Sequence, residues 1–279
     1  MALLLGYSAA IDRRIPISDF PCERVTGVAR EGDKWLVGGI RGLFIGKPGG
    51  KWTQATDQSV REMKTTNGGT WVLYGNGSLD KVDIAKDRLY DDLMHGFTKR
   101  PWVASFNFVG ENLLLGGQGG WLERGKDGVQ NHFSTTLTAK PVTAITRVGS
   151  TVWLGTQDGL YRQDGESLTR LGFGSGLPDL WVTAIEPSQK SLVVGLASGG
   201  LARVTEGKAQ SIDSPTKRVR SMLRWHGALV LGGLDGAWLR KGESWVRLTD
   251  SEATFLGQMG SELTVGAADG VHFFRWKLL

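Results

Sequence analysis

A single cysteine, Cys22, stands in this chain of 279 residues. One thiol excludes an internal disulfide framework and any cysteine-rich metal site. Histidine is scarce as well: His95, His132, His226 and His272 are widely separated in the chain. A metal site needs several converging ligands, so no metal or other cofactor is expected. Missing too are His-Glu-x-x-His, a phosphate loop ending in Gly-Lys-Ser/Thr, and Gly-x-Ser-x-Gly; in Gly172-Phe-Gly-Ser-Gly176 the serine stands at the wrong place. No catalytic residue is therefore assigned, and the chain is read as a non-enzyme. No apolar run approaches the roughly 18 residues of a membrane span. The opening Met1-Ala-Leu-Leu-Leu-Gly6 lacks a basic stretch and is too short for an ordinary signal peptide, which reads as cytoplasmic. An exported chain with its signal removed is the alternative.

Glycine, by contrast, is abundant, with 41 residues, and it is ordered. Six short apolar runs end in glycine and are followed by a second glycine four or five residues later. They are Trp35-Leu-Val-Gly38 with Gly42, Leu113-Leu-Leu-Gly116 with Gly120, Val152-Trp-Leu-Gly155 with Gly159, Leu192-Val-Val-Gly195 with Gly200, Leu229-Val-Leu-Gly232 with Gly236, and Leu263-Thr-Val-Gly266 with Gly270. Trp71-Val-Leu-Tyr-Gly75 is a degenerate seventh. Successive lead glycines are 37, 41, 39, 40, 37 and 34 residues apart, the signature of one supersecondary unit repeated along the chain.

Within a unit the pattern is strand, tight turn, strand. An inner run such as Val25-Thr-Gly-Val28, Val142-Thr-Ala-Ile145 or Val182-Thr-Ala-Ile185 begins 13 residues before the lead glycine; in the second unit Val60 stands 15 residues ahead of Gly75. Residues after the second glycine read as a third strand, and runs such as Ser167-Leu-Thr-Arg-Leu171 as a fourth. Four short strands in about 40 residues, repeated, make a propeller blade. The expected fold is an all-β propeller of seven four-stranded blades forming one domain over 1–279. The last unit stops after its third strand, so Arg14-Ile-Pro-Ile17 is the expected donor of its outer strand, which removes an exposed edge. Leu3-Leu-Leu-Gly6 with Ala10 echoes the repeat and leaves eight blades as the alternative. Most of the 11 tryptophans fall on second, third or fourth strands, where a large ring fills the wedge between sheets.

Gly174-Ser-Gly-Leu-Pro-Asp-Leu-Trp-Val-Thr-Ala-Ile185 and Val152-Trp-Leu-Gly-Thr-Gln-Asp-Gly-Leu-Tyr-Arg162 resemble the two-component regulator propeller repeat, whose units run Gly-Leu-Pro, a Val-x-x-Ile strand, then Leu-Trp-x-Gly-Thr-x-x-Gly-Leu. The likeness extends over most of 22–275. It implies a sensory or binding propeller, often outside the cytoplasm and fused to a membrane sensor kinase. The sequence carries no helical transmitter segment, so the kinase role does not follow. Lys47-Pro-Gly-Gly-Lys-Trp52 is faintly similar to the Asp-box hairpin but lacks its Ser-x-Asp.

A net charge of +5 raises nucleic acid as a partner. Arg124, Arg162, Arg203, Arg240 and Arg275 each end a third strand, one to a blade, so the repeat disperses the charge rather than gathering it into a phosphate-tracking stripe. Nucleic acid is not the expected partner.

Two places could bind. From Gly77 to Arg100 the chain departs furthest from the repeat, with Asp80, Asp83, Asp87, Asp91 and Asp92 gathered there and charges at helical spacing over Asp83–Met94. This excursion is read as solvated, with Tyr90, Leu93 and Met94 as candidates for docking a partner. The second place is the channel mouth. Aligning the units puts Arg24, Ser59, Trp102, Pro141, Trp181, Arg218 and Glu252 just before the inner strands, with Arg61 and Arg220 two residues later and Glu62 after that. Arg24, Arg61, Glu62, Trp102, Trp181, Arg218 and Arg220 form the candidate site, because Trp and Arg are enriched at binding hot spots. The competing reading packs the tryptophans on neighbouring blades and pairs the arginines with Glu62 and Glu252. The functional expectation is a non-catalytic binding module or scaffold that contacts a protein within a larger assembly. A sensor or enzyme acting on an anionic or carbohydrate-like small molecule in the channel is the alternative.

Overall fold

The computed structural model describes residues 7–66, 69–84, 86, 88–90, 102–138, 140–188 and 191–278. Its strands form seven four-stranded antiparallel sheets, and the fold is a seven-bladed β-propeller. In six sheets the strands follow chain order from the inner strand outward. In the seventh, Phe255–Met259, Glu262–Ala267 and Gly270–Leu278 are completed by Tyr7–Pro16. The closing strand is thus longer than the expected 14–17, and Ile17 already belongs to a 3-10 turn, Ile17–Asp19. Ala10, which completed the eighth-blade pattern, pairs with Arg275 on this strand and so belongs to the edge of blade seven; Leu3–Gly6 lie outside the described residues. Among the described residues no helix is long and apolar enough to cross a membrane.

The chain divides into two compact units. Unit one holds residues 1–95 and 223–279. Here the closing strand is fastened by side chains of both kinds. Ile15 and Ile17 pack on the buried Phe20, Val271 and Phe273. Arg13 donates to the buried Glu262 at 3.1 Å, and Arg275 donates to the same carboxylate at 3.0 Å. Blade two also lies in this unit, and it corrects the helical reading over Asp83–Tyr90, the described part of Asp83–Met94. Leu79–Asp83 and Arg88–Tyr90 are its third and fourth strands, with Asp83 opposite Arg88. The charge spacing reflects a turn: Asp83 Oδ1 accepts the Lys86 N–H at 3.1 Å, and the two side chains pair at 3.2 Å. Leu93 and Met94 lie outside the described residues, and Tyr90 is placed by its backbone alone, opposite Lys81.

Unit two holds residues 96–222, with blades three, four and five and the start of the inner strand of blade six, Val219–Trp225. Blade four shows why the repeat carries two glycines. A Cβ on Gly155 would lie 2.7 Å from Val182 Cγ1 of the next inner strand, so the first glycine permits close approach between blades. Gly159 has φ +122°, and a Cβ there would lie 2.5 Å from the Leu171 carbonyl oxygen, so the second satisfies the turn into the third strand.

The first residue of each inner run is buried valine in blades one to six: Val25, Val60, Val103, Val142, Val182 and Val219. Each such burial contributes about 1.5–3 kcal/mol. The residue or two after it supplies a latch between blades. In unit one Thr26 Oγ1 donates to the Val60 carbonyl at 2.8 Å, and Thr254 Oγ1 to the Val25 carbonyl at 2.6 Å. In unit two Ser105, Thr143 and Thr183 donate to the carbonyls of Val142, Val182 and Val219 at 2.7, 2.6 and 2.8 Å. Each of these five hydrogen bonds fixes the start of one inner strand to the next, worth about 1 kcal/mol apiece.

Candidate functional site

The latches order the leading ends of the inner strands, where the candidate residues stand. In unit one Arg24 precedes Val25, while Arg61 and Glu62 follow Val60. Arg24 is spoken for. Its two terminal nitrogens donate to the two oxygens of Glu252, each at 2.8 Å, and this hydrogen bonding raises the guanidinium pKa further above its ordinary value. The packing alternative therefore describes Arg24. Glu62 forms an ion pair with Lys64 at 3.1 Å. Arg61 is exposed and takes the position that Thr26 and Thr254 use for latching, at a register shift between Val60 and Glu62. A bulge of this kind re-aims the side chain it carries.

Unit two differs. Trp102, Pro141, Trp181 and Arg218 directly precede Val103, Val142, Val182 and Val219, and three successive latches set those strands side by side. Trp102 is 40% exposed and Trp181 46%, whereas Trp225, Trp121 and Trp35 are buried. The contrast separates these two rings from the wedge-filling tryptophans. Arg218 and Arg220 are exposed.

Exposure alone does not make a site, but the support beneath Trp181 adds to it. Asp179 Oδ1 accepts the Trp181 N–H at 3.2 Å, and its Oδ2 accepts the Ser198 N–H at 2.8 Å. The Trp181 carbonyl accepts from Ala197 N at 3.0 Å. The ring is thus held on a braced backbone while much of its surface faces water, an arrangement that lowers the ordering cost of binding.

The Gly-Leu-Pro segment leading to Trp181 is equally constrained. A 3-10 turn spans Phe173–Ser175, Gly172 O accepts from Ser175 N and Leu177 N at 3.0 and 3.2 Å, and Leu177 is buried in the core between blades four and five. Phe173 stands out from it at 65% exposure. One connection earlier, Phe133 ends the fourth strand of blade three at 58% exposure, before a second 3-10 turn, Thr135–Leu137, anchored by the buried Leu137. Neither phenylalanine emerged from aligning the repeats. Phe173 had a readable signal, since an aromatic flanked by Gly172 and Gly174 in a connection has little core to join.

Between these aromatics lies a charge cluster. Asp158 forms ion pairs with Lys140 at 2.7 Å and Arg170 at 2.8 Å and accepts from the Tyr161 hydroxyl at 3.2 Å. The Lys140 hydrogen bond leads the causes that hold its carboxyl below the usual range.

The opposite, trailing end of blade three carries a groove of about 370 Å³ lined by Glu111, Asn112, Glu123, Lys126, Asp127 and Gln130. Glu123 is bound by the guanidinium of Arg147, with one contact at 2.6 Å, and by Asn112 at 2.6 Å; Arg147 lowers its pKa. Burial lowers the pKa of nearby His132, whose ring stacks on Trp121 at 3.9 Å. These shifts favour the carboxylate anion and the neutral imidazole. Among the described residues no group of His, Cys, Asp and Glu could hold a metal ion. Of the third-strand arginines, Arg162 pairs with Asp164 at 2.7 Å, Arg240 with Glu243 at 3.3 Å, and Arg275 with Glu262, so these charges are compensated locally.

No family model matches the chain, and no curated protein matches it by sequence. Solved structures do match in fold. The extracellular domain of the putative hybrid two-component system BT3049 from B. thetaiotaomicron aligns at TM-score 0.73 and 13% identity, over 97% of this chain and 41% of that one. BamB from Moraxella catarrhalis aligns at TM-score 0.60 and 14% identity, over 99% and 100%. A chain of the Mitotic Checkpoint Complex aligns at TM-score 0.67 and 13% identity, over 97% and 95%. This chain therefore spans about two-fifths of that extracellular domain's length. At these identities the likeness is one of fold, and at that level the resemblance to two-component propellers holds.

Proposed function

We propose that this protein is a non-catalytic binding module that contacts a protein partner through the leading ends of the inner strands in unit two. The observation that carries the reading is the pair of half-exposed tryptophans, Trp102 and Trp181, with Arg218 and Arg220 exposed at the start of the inner strand of blade six. Large aromatics and arginines dominate binding energy where they are presented on a rigid support, and the bracing of Trp181 by Asp179 supplies one. A propeller chain within a multi-protein complex among the structural neighbours agrees with a role inside an assembly. Export fits this surface as well as the cytoplasm does, because Cys22 is buried and burial pushes its thiol pKa up to about 11, so the compartment's redox state has little hold on it.

The test is gentle isolation of the protein from its source followed by native mass measurement, with the combined variant Trp102→Ala, Trp181→Ala and Arg220→Ala alongside. Stoichiometric recovery in a larger complex, lost in the variant at an unchanged melting midpoint, supports the reading. Recovery of the unaltered protein as a lone chain contradicts it and turns attention to a small molecule in the channel. A large fall in the variant's midpoint assigns the three side chains to packing.

A further inference from the structure

Among the described residues seven large hydrophobic side chains are exposed: Ile11, Ile40, Trp102, Phe133, Phe173, Trp181 and Val246. All four aromatic members lie at the leading end of unit two, on three successive connections. Polar residues are interspersed among them in the sequence. Exposed Thr135, Thr136 and Thr138 stand between the positions of Phe133 and Phe173 along the chain, on a turn whose N-cap Ser134 accepts the Thr136 N–H at 3.2 Å. Thr138 Oγ1 already donates to the Thr135 carbonyl at 2.9 Å, but a flat apolar partner surface would bury the Thr135 and Thr136 hydroxyls without replacing their water, which is costly. An extended peptide instead sets its own N–H and C=O groups over the hydroxyls and lowers alternate side chains among the rings.

Charge at the same end selects the sign of that peptide. Lys140, Arg170, Lys217, Arg218 and Arg220 face three carboxylates, Asp158, Asp179 and Asp213. Asp158 is engaged by Lys140 and Arg170, Asp179 by the backbone N–H groups of Trp181 and Ser198, and Asp213 has a partner as well. Lys217, Arg218 and Arg220 are exposed around the start of the inner strand of blade six, so the field there is positive, in keeping with the net charge of +5.

We infer that the leading end of unit two takes an extended acidic segment of a protein partner, in which apolar side chains alternate with Asp or Glu. The apolar residues seat among Trp102, Phe133, Phe173 and Trp181, and the acids face Lys217, Arg218 and Arg220. This rests on the proposed binding role of the surface and adds the chemistry of its occupant.

The experiment selects short random peptides displayed on phage against the full chain. The most enriched sequence is then synthesised with a fluorescein label and its binding followed by anisotropy. The expected winners carry net negative charge with two or more Leu, Ile, Val or Phe residues, and their affinity weakens as salt is raised. Phe173→Ser combined with Trp181→Ala lowers that affinity roughly thirtyfold or more, the factor for loss of a hot spot. Arg218→Glu lowers it roughly tenfold. Both changes are at exposed side chains, and the melting midpoint of each variant establishes that it is folded. No enrichment, winners of neutral or positive charge, or an affinity indifferent to both variants overturns the inference. If Trp181→Ala breaks the native assembly while acidic peptides do not bind, the surface remains the binding site and only its occupant is wrong. If acidic peptides bind there while the assembly ignores the substitutions, the assembly role of the surface is what fails.

Discussion

The same register position serves opposite ends in the two compact units. In unit one Arg24, directly before its inner strand, is locked by two hydrogen bonds to Glu252. In unit two Trp102 and Trp181, at the equivalent position, are left 40% and 46% exposed, and Trp181 is braced from below. Beneath both lies one scaffold of buried valine, latching hydroxyl and close-approach glycine. The repeat dictates the scaffold; the residue just ahead of it is free to vary, and that is where function is expected to differ.

The largest effect expected from breaking this contrast is on binding. Trp181→Ala should weaken partner binding by about 2 kcal/mol or more, a hot-spot loss, whereas Arg24→Ala should leave it unchanged. Titrating partner onto each variant checks both. Next, the scaffold should respond alike in the two units: Val60→Ala and Val182→Ala should each cost about 2 kcal/mol through lost burial and the cavity left behind, lowering the midpoint by several degrees. Calorimetry of the pair sharpens the comparison, and a large inequality would mean that the units are not built to one plan.

Removing a latch is a smaller perturbation. Thr26→Val and Thr183→Val should each cost about 1 kcal/mol, because a carbonyl loses its donor while the shape is kept. Thr183→Val should also loosen the strand behind Trp181, so its binding defect should exceed that of Thr26→Val.

The smallest effect concerns acid. Asp158 has its pKa depressed in the folded protein, chiefly by the Lys140 hydrogen bond, so its contribution is fully present above the unfolded value of about 3.9 and fades as pH falls through the lower folded value. Because the groups are a third exposed, solvent screens the pair and the contribution is small. Asp158→Asn should therefore lose slightly less stability than the unaltered protein between roughly pH 5 and pH 2. Equal losses would remove Asp158 from the account of acid sensitivity.

How much of this was legible in sequence depends on whether a residue obeys the repeat. The lead glycines and inner valines do, so blade number and closure by an N-terminal strand could be read from spacing, though the strand is Tyr7–Pro16 rather than 14–17. Trp102, Trp181, Arg218 and Arg220 could be placed because they adjoin those valines, though their exposure could not. Phe133 and Phe173 sit at connections that alignment discards; the glycines flanking Phe173 hint at its exposure, whereas that of Phe133 is visible only in three dimensions. Over Asp83–Tyr90 the reading failed for a different reason. An outer strand and its turn carry no apolar alternation, and the Asp83 to Lys86 pairing across a turn has the spacing of a helical ion pair. Glu252 was named as a partner for an arginine, and it is Arg24 that it holds.

Hydrogen exchange on the isolated native complex, compared with the free protein, tests the central claim most directly. The account predicts new protection over residues 172–181 and 216–220, with none at Arg24 or at Arg61 and Glu62. Protection confined to unit one, or to the trailing end of blade three around Glu111 and Lys126, would contradict it.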